Sequence, residues 1–285
     1  MLARWIAAEF DRLGQPDDFR VVEVGAGPGT LARSILQVAP QWTGRYVAVE
    51  LSAAQRANHP DGVESIAMLD DRDLRGVVIA NELLDNMPFR LAVFDGGWRE
   101  AVIEVADDGS FSERLIAAPD DWTWLPQRAL HGARLPIQQR ARDWVTAIQA
   151  QVAGTLLVFD YCTPLTAELA AMPWREWLRT YSGHERGEHY LRNFGLHDST
   201  TQVCLDQLPE PSAVRSQAQI LARWGIDDLD AEGKAQWTAA AAAPSVASLR
   251  MRSRASEAES LRDPTGLGAF LAVEWTTEAA TVVSR

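Results

Sequence analysis

The chain has 285 residues, of which 47% are hydrophobic and 23% are charged, and its formal net charge is −12. This composition is typical of a globular protein, and the length favours one elaborated domain. Nucleic-acid binding needs a clustered positive field, which this acidic chain does not provide. The sequence contains no run of roughly 18 apolar residues, the length that a membrane helix needs. We therefore expect a cytoplasmic protein with neither nucleic acid nor membrane as a partner.

The first part of the chain alternates short apolar strands with helices. The predicted strands lie at residues 20–24, 45–50, 63–68 and 76–82, and the predicted helices lie at residues 2–13 and 30–38. The strands are β-branched runs that stop at glycine or at an acid, as buried strands do. Alternation of this kind predicts an α/β fold with a parallel sheet and right-handed crossovers.

The pattern changes after the fourth strand. From Arg90, apolar and polar residues alternate, with a Gly-Gly and an Asp-Gly pair as turns, which predicts an antiparallel meander. A stretch rich in Trp and Pro follows, and then a helix over residues 138–152. We interpret residues 88–150 as an inserted subdomain, with residues 1–87 and 151–285 forming the main domain.

The rest of the chain returns to buried strands and helices. Residues 155–161 form another apolar run. We predict closing strands at residues 201–205 and 269–275, and helices at residues 211–224 and 237–243.

The most informative motif is EVGAGPGT, which begins at Glu23 and carries Gly25, Gly27 and Gly29 in the turn after a strand. Glycines let the backbone turn sharply and let a ligand approach where a Cβ would collide. Such a turn is weak evidence alone, because any tight strand-to-helix turn favours glycine. The G-x-G-x-G spacing and the acid in the strand differ from the G-x-G-x-x-G of pyrophosphate-binding loops, which favours S-adenosylmethionine over a dinucleotide.

Glu50 is the second candidate ligand residue. It ends the second strand, where nucleoside-binding sheets place an acid that accepts the ribose hydroxyl protons. A surface acid or a helix cap is the alternative. The glycine loop, the strand and the terminal acid together indicate a nucleoside, and either type of cofactor could satisfy them.

The phrase NELLDNMPF places Asn81 and Glu82 at the end of the fourth strand, with Asp85 three residues further on. An amide oxygen or a carboxylate here can accept a hydrogen bond from a target nitrogen, or hold a cationic target by charge. The alternative is a helix N-cap followed by first-turn acids that the helix dipole favours. Spacing alone does not separate the two.

Read in order, EVGAGPGTLARSIL, YVAVELS, VIANELLDNMPF and LLVFDYC resemble the MidA-like family of S-adenosylmethionine-dependent methyltransferases, over about residues 18–208. The phrase N-E-x-x-D-x-x-P is the distinctive one. The matching positions are Glu23, Gly25, Gly27, Gly29, Glu50, Ser52, Asn81, Glu82, Asp85, Pro88, Asp160 and Tyr161, with Arg179, Tyr181 and His184 in a further L-R-x-Y-x-x-H stretch.

This resemblance implies a Rossmann-like, seven-stranded class I methyltransferase sheet with an inserted β-meander and helical subdomain. It implies S-adenosyl-L-methionine as cofactor and Asn81, Glu82 and Asp85 as catalytic residues. The family includes a mitochondrial complex I assembly-factor methyltransferase that modifies arginine, so the implied acceptor is a protein arginine, whose guanidinium paired carboxylates can hold. The implied cofactor-binding residues are Glu23, Gly25, Gly27, Gly29, Thr30, Glu50, Leu51 and Ser52.

Two other functions stay open. Family members carry a longer segment before the glycine strand. A shorter segment would open the site, so the acceptor could instead be a small molecule. A non-catalytic partner-binding or assembly module, docking through its Trp-rich surfaces, is the third hypothesis. We expect no metal, because the spacing of His184, His189 and His197 does not enforce a ligand geometry.

Overall fold

The computed structural model describes residues 1–70, 73–183, 185–192, 195–240 and 245–277. His184 and the last part of the helix predicted at 237–243 therefore lie outside the described residues. Numbered along the chain, the strands are β1 (Arg20–Val24), β2 (Tyr46–Val49), β3 (Glu64–Ile66), β4 (Leu74–Asn81), β5 (Arg90–Phe94), β6 (Trp98–Val105), β7 (Phe111–Ala117), β8 (Arg134–Ile137), β9 (Val152–Asp160), β10 (Cys162–Thr163), β11 (Leu178–Ser182), β12 (Glu185–Arg186), β13 (Asp198–Thr201), β14 (Val203–Cys204), β15 (Ala213–Ser216) and β16 (Leu271–Thr277).

The helices follow the predicted amphipathic segments in the first part of the chain. They are α1 (Leu2–Arg12), α2 (Thr30–Val38), α3 (Ala53–Arg56), α4 (Gln139–Gln151), α5 (Thr166–Leu169), α6 (Trp174–Trp177), α7 (Gln217–Arg223), α8 (Ile226–Ala239) and α9 (Val246–Arg262). Within the described ranges, every helix is too short or too polar to span a bilayer.

Contacts between residues divide the chain into two units. The sheet unit comprises Met1–Asn81, Ile148–Phe159 and Pro211–Arg285. The meander unit comprises Glu82–Ala147 and Asp160–Glu210.

The sheet unit contains a seven-stranded sheet in the order β15-β16-β9-β4-β1-β2-β3. The pairs β1–β2, β2–β3, β1–β4 and β4–β9 are parallel, and β15 pairs antiparallel with β16. The predicted fold class, a seven-stranded Rossmann-like α/β sheet, is confirmed. The chain runs from β1 outwards to β3 and then returns to the other side of β1 for β4, and ligands bind open sheets at such a switch point.

Helix α1 forms part of the core of the sheet unit because its apolar residues recur at helical spacing. Trp5 and Ile6 are buried. Phe10 lies on the same helix, with its ring edge-on to Phe19 at 5.1 Å and to Trp42 at 5.3 Å. These aromatic contacts hold α1 against the start of β1.

Two glycines allow the central strands of this sheet to approach one another. Gly76 of β4 pairs with Arg20 of β1 on one side and with Gly154 of β9 on the other. Both glycines have φ in the positive region, 144° and 155°. A Cβ on Gly76 would overlap the carbonyl oxygen of Arg20, and one on Gly154 would overlap that of Gly76.

The meander unit contains a four-stranded sheet in the order β7-β6-β5-β8, whose neighbouring strands are antiparallel, and the predicted meander is thus confirmed. Two smaller sheets follow, β12-β11-β13 and β10-β14. The contacts also group Asp160–Glu210 with the meander, whereas the sequence pattern predicts this segment as part of the main domain. The physical reason is packing, because Trp177 and Cys204 share one buried cluster with Leu91 and Leu135.

Two predicted elements differ from the structure. Residues 201–205 do not form a closing strand of the large sheet, since they contribute to β13 and β14 in the meander unit. The helix predicted over 211–224 begins only at Gln217, because Ala213–Ser216 pairs with β16. Ser216 then starts the helix through a capping box with Gln219, which separates the strand from the helix.

Substitution of Gly76 by alanine is expected to destabilise the chain, because the added Cβ meets backbone that cannot move aside. We expect Gly76→Ala to lower the free energy of unfolding by about 3 kcal/mol. Urea denaturation measures this change. The control is Gly97→Ala, where a Cβ would meet no atom of the described chain within 4 Å. Its unfolding free energy should change by less than about 0.5 kcal/mol, and equal midpoints for the two variants would contradict the packing argument.

Candidate active site

The glycine loop follows β1 and lies against the end of β2. The N–H groups of Gly25 and Ala26 both donate to the carbonyl oxygen of Val49, at 2.9 and 3.1 Å. Gly25 has a φ of 74° and Gly29 has a φ of 75°, in the left-handed region that favours glycine. The turn is thus fixed to the neighbouring strand by its backbone.

Gly27 and Gly29 are required for different reasons. A Cβ on Gly27, whose φ is 52°, would meet no atom of the described chain within 4 Å, so this side of the loop is open. A Cβ on Gly29 would lie 3.1 Å from both His59 Cδ2 and Pro60 Cδ. Gly29 therefore allows the loop to pack, and Gly27 leaves room for a ligand.

Glu50 lies directly beside this open face. Its Oε2 accepts the N–H of Gly27 at 3.0 Å, and its Oε1 accepts the N–H of Ser52 at 2.8 Å. Arg56 donates to the carbonyl oxygens of Glu50 and Leu51, at 2.7 Å each. The carboxylate is therefore held in one orientation and has acceptor capacity for a further donor.

The remaining predicted cofactor-binding residues surround the same turn. Leu51 is 77% exposed and offers an apolar surface next to Glu50. Ser52 caps α3, where its hydroxyl accepts the N–H of Gln55 at 3.4 Å. Thr30 is exposed at the first position of α2, directly after the loop.

Glu23 faces the packed interior of the sheet unit. Its side chain accepts a hydrogen bond from the Tyr46 hydroxyl at 2.8 Å, and the residue is 6% exposed. Burial raises the pKa of Glu23 to about 7, against the opposing effect of hydrogen bonds from Tyr46 and from the backbone of Ala32. Glu23 thus connects β1 to β2 and α2 beneath the loop, and direct contact with a cofactor stays a prediction.

His59 also holds the loop, a role that the sequence analysis missed. Its Nε2 lies 2.9 Å from the carbonyl oxygen of Gly27, and its Nδ1 lies 2.8 Å from Ser65 Oγ. Because a carbonyl only accepts, Nε2 carries the proton. An isolated histidine after a short helix gives no sequence pattern from which this contact could be predicted.

Asn81 and Glu82 stand where β4 ends. Asn81 is the last residue of β4, opposite Phe159 of β9, and both Asn81 and Glu82 are exposed. Glu82, the first residue of the meander unit, has a φ of 50°, which is unusual for a residue other than glycine. Backbone strain of this kind is typical of functional positions.

Asp85 is buried in a short 3-10 turn, Leu84–Asn86, and the Asn86 amide donates to its Oδ1 at 2.8 Å. Burial and the charge of Glu82 raise the pKa of Asp85. Asp160 is fully buried and accepts the N–H groups of Leu84 and Asp85, at 2.9 and 3.3 Å. Burial, followed by the nearby Asp85, raises the pKa of Asp160 well above its ordinary value.

Asp160 is therefore a positioning residue that holds the turn carrying Asp85. The family resemblance is the only sequence signal at Asp160, and its bonds to the N–H groups of Leu84 and Asp85 were not predicted. In the described part of the chain, no group of three or more His, Cys, Asp or Glu residues can hold a metal ion.

A family model with the description "Putative S-adenosyl-L-methionine-dependent methyltransferase" matches residues 1–222. The match covers more than half of the chain, so the chain belongs to this family, a family of S-adenosyl-L-methionine-dependent methyltransferases with the class I fold. The resemblance to MidA-like proteins is confirmed.

Particular relatives agree with this membership. A crystal structure of an uncharacterized protein from Burkholderia thailandensis has 24% identity and a TM-score of 0.80, and covers 97% of this chain and 78% of that one. A second structure from the same organism, bound to S-adenosyl-homocysteine, has 25% identity and a TM-score of 0.79, with 97% and 75% covered.

The curated protein arginine methyltransferase NDUFAF7 homolog, mitochondrial, of Drosophila melanogaster is 26% identical over 142 residues. This match covers 38% of the present chain and 32% of that protein. The chain thus aligns with about a third of the length of this relative.

Loss of the Glu50 carboxylate is expected to weaken binding of S-adenosylhomocysteine. We expect Glu50→Ala to cost about 1–3 kcal/mol, because hydrogen bonds to a charged acceptor are lost. Calorimetric titration measures the affinity, with NADH as the control ligand and the exposed-site variant Asp61→Ala as the control protein. Unchanged affinity in Glu50→Ala would remove Glu50 from the cofactor site.

Glu23 is expected to make stability depend on pH. Its folded pKa of about 7 lies above the ordinary 4.5, so its contribution to stability is complete below pH 4.5 and is lost as pH rises through 7. Glu23→Gln should remove about 3 kcal/mol of this pH dependence. Urea denaturation on both sides of this range measures the change, with the exposed-site variant Glu257→Gln as control. Parallel pH curves for Glu23→Gln and the unsubstituted chain would contradict the raised pKa.

Proposed function

We propose that the chain binds S-adenosyl-L-methionine at the glycine loop and transfers the methyl group to an arginine nitrogen of a protein. The observation that carries the proposal is the open face of Gly27 beside the oriented carboxylate of Glu50. The solved relative bound to S-adenosyl-homocysteine supports the choice of cofactor, and the Drosophila relative supports arginine as the acceptor.

The residues of the loop fit this cofactor. The open side of Gly27 admits a ligand close to the backbone, and Glu50 accepts hydrogen bonds from ribose hydroxyls. Leu51 supplies apolar surface for a base. The G-x-G-x-G spacing of the loop differs from that of pyrophosphate-binding loops, which agrees with a cofactor that lacks phosphate.

The acceptor has to be held and has to lose a proton. When bound, S-adenosyl-L-methionine would supply an electrophilic methyl group to the acceptor nitrogen, with the sulfur as leaving group. Glu82 and Asp85 hold the guanidinium by charge and hydrogen bonds. Asn81, the last residue of β4, stays a predicted catalytic residue.

One carboxylate of this pair also takes the proton that the guanidinium nitrogen releases. Arginine has a very high pKa, so a base that works near neutral pH is required. The raised pKa of Asp85 suits that role, and Asp160 keeps the turn of Asp85 in place.

Transfer of labelled methyl groups tests the proposal. The purified chain and labelled S-adenosyl-L-methionine are incubated with a cell extract, and the protein fraction is hydrolysed for amino-acid analysis. Label in methylarginine supports the proposal. Label in small molecules alone would favour the small-molecule acceptor, and binding of the cofactor without transfer would favour the assembly module. The cytoplasmic location stays a prediction, and the curated relative is mitochondrial.

Glu82→Gln is expected to keep the affinity for S-adenosylhomocysteine and to lower methyl transfer roughly a hundredfold, because the carboxylate charge is lost. Calorimetry and the transfer assay measure the two effects separately. The matched control is Glu104→Gln, another exposed acid of the meander unit, which should retain full activity. A fully active Glu82→Gln would exclude Glu82 from catalysis.

A further inference from the structure

A groove of about 330 Å³ in the meander unit is lined by three arginines. Arg175 comes from α6, Arg179 from β11 and Arg186 from β12. Trp174 and Tyr190 form aromatic parts of its wall. Three cationic side chains therefore converge on one small concavity of a chain whose net charge is −12.

The guanidinium groups are arranged by stacking. Arg175 lies over the Trp174 ring, 5.1 Å from its centroid, and Arg179 lies over the Tyr161 ring at 5.4 Å. Stacking covers the face of a guanidinium and leaves its N–H edge directed away from the ring. Two of the groove's three arginines thus each lie over an aromatic ring, and a guanidinium can bind a carboxylate through two N–H groups.

Among the described contacts, two side-chain hydrogen bonds use donors of these arginines. Arg179 Nε donates to the carbonyl oxygen of Glu176 at 2.8 Å, and Arg186 donates to that of Arg175. Each guanidinium has five N–H donors. Glu188 also lines the groove and pairs with Arg192 at 3.6 Å, and the described ion pairs include none of the three groove arginines.

The electrostatic environment of a nearby histidine agrees with a positive field. His189 packs edge-on to Trp174, with ring centroids 5.3 Å apart. Burial lowers the pKa of His189, and Arg175, Arg134 and Arg192 lower it further, against the opposing effect of Glu113.

One groove arginine, Arg179, is connected to the proposed acceptor site through Tyr161 of the same unit. Tyr161, on which Arg179 stacks, is the residue directly after Asp160. Burial raises the pKa of the Tyr161 hydroxyl, Glu82 raises it further, and Arg179 lowers it. The charges of Glu82, which is proposed to hold the target arginine, and of the groove residue Arg179 thus both act on the Tyr161 hydroxyl.

We propose that this groove binds an acidic side chain that neighbours the target arginine, so that the acceptor is an arginine within an acidic segment of a protein. The proposal rests on the proposed function for the target arginine and on the three groove arginines for its acidic neighbour. The methylation site then has two charged parts: Glu82 and Asp85 for the arginine, and Arg175, Arg179 and Arg186 for the acid.

A peptide fits these observations better than a nucleic acid does. The groove accommodates one or two side chains, and the net charge of −12 opposes a continuous polyanion. A carboxylate side chain presents the planar pair of oxygens that guanidinium groups bind bidentately.

Fluorescence anisotropy with labelled synthetic peptides tests the proposal. One peptide carries an arginine with two glutamates on each side, and its partner has glutamines in those four places. In the presence of S-adenosylhomocysteine, the full chain should bind the acidic peptide at least tenfold more tightly. Replacement of Arg175 and Arg186 together by glutamine should remove the difference between the peptides. Arg99→Gln, an exposed arginine of the meander unit outside the groove lining, should retain it.

Equal affinity for the two peptides would overturn the proposal, and so would tighter binding of a single-stranded oligonucleotide of the same charge. Methyl transfer to the peptides separates this proposal from the function on which it rests. Equal methylation of both peptides would contradict the preference for acidic neighbours, and the proposal of an arginine methyltransferase would stand. Binding of the acidic peptide at the groove without methylation would contradict the proposal of an arginine methyltransferase, and the proposal that the groove binds acidic side chains would stand.

Discussion

The candidate site depends on the hydrogen bonds that fix the glycine turn to the end of β2. Gly25 and Ala26 donate to the Val49 carbonyl, and Gly27 donates to the Glu50 carboxylate. The pairing of β1 with β2 ends at Val24 and Val49. Beyond that point, the N–H groups of the glycine turn bond to the Val49 carbonyl and the Glu50 carboxylate in place of a strand partner. A side chain within the turn would obstruct either the packing or the approach of a ligand, which explains why glycine recurs there.

Three buried carboxyl groups show how the chain tolerates polar residues in its interior. Glu23 is bonded by a tyrosine hydroxyl, Asp160 by backbone N–H groups and Asp85 by an amide. Each bond offsets part of the cost of removing a carboxylate from water, and the remaining cost raises the pKa. Glu23 and Asp160 use this arrangement to join segments distant in sequence, whereas Asp85 lies beside the proposed catalytic Glu82.

The sequence predicted the features that depend on local pattern. The buried strands, the meander and the placement of Glu50 at the end of β2 followed from periodicity and turn residues. Contacts between distant segments were not predictable. The close packing of Gly76 against Arg20, the bond from His59 to the glycine loop and the pairing of β15 with β16 each depend on a partner that spacing does not reveal. The apolar content of residues 211–224 suits a helix as well as an edge strand, and only the capping box at Ser216 marks the division.

The position of β16 has a consequence for synthesis on the ribosome. It lies between β15 and β9 in the large sheet, yet about 110 residues separate its start from the end of β9. Until β16 emerges, β9 has an unpaired edge and β15 has no neighbour. An exposed apolar edge strand invites pairing with another chain, so the nascent protein is most prone to aggregation in this interval. Chaperone capture during translation should therefore be strongest after residue 160 and should cease once residues 271–277 have joined the sheet.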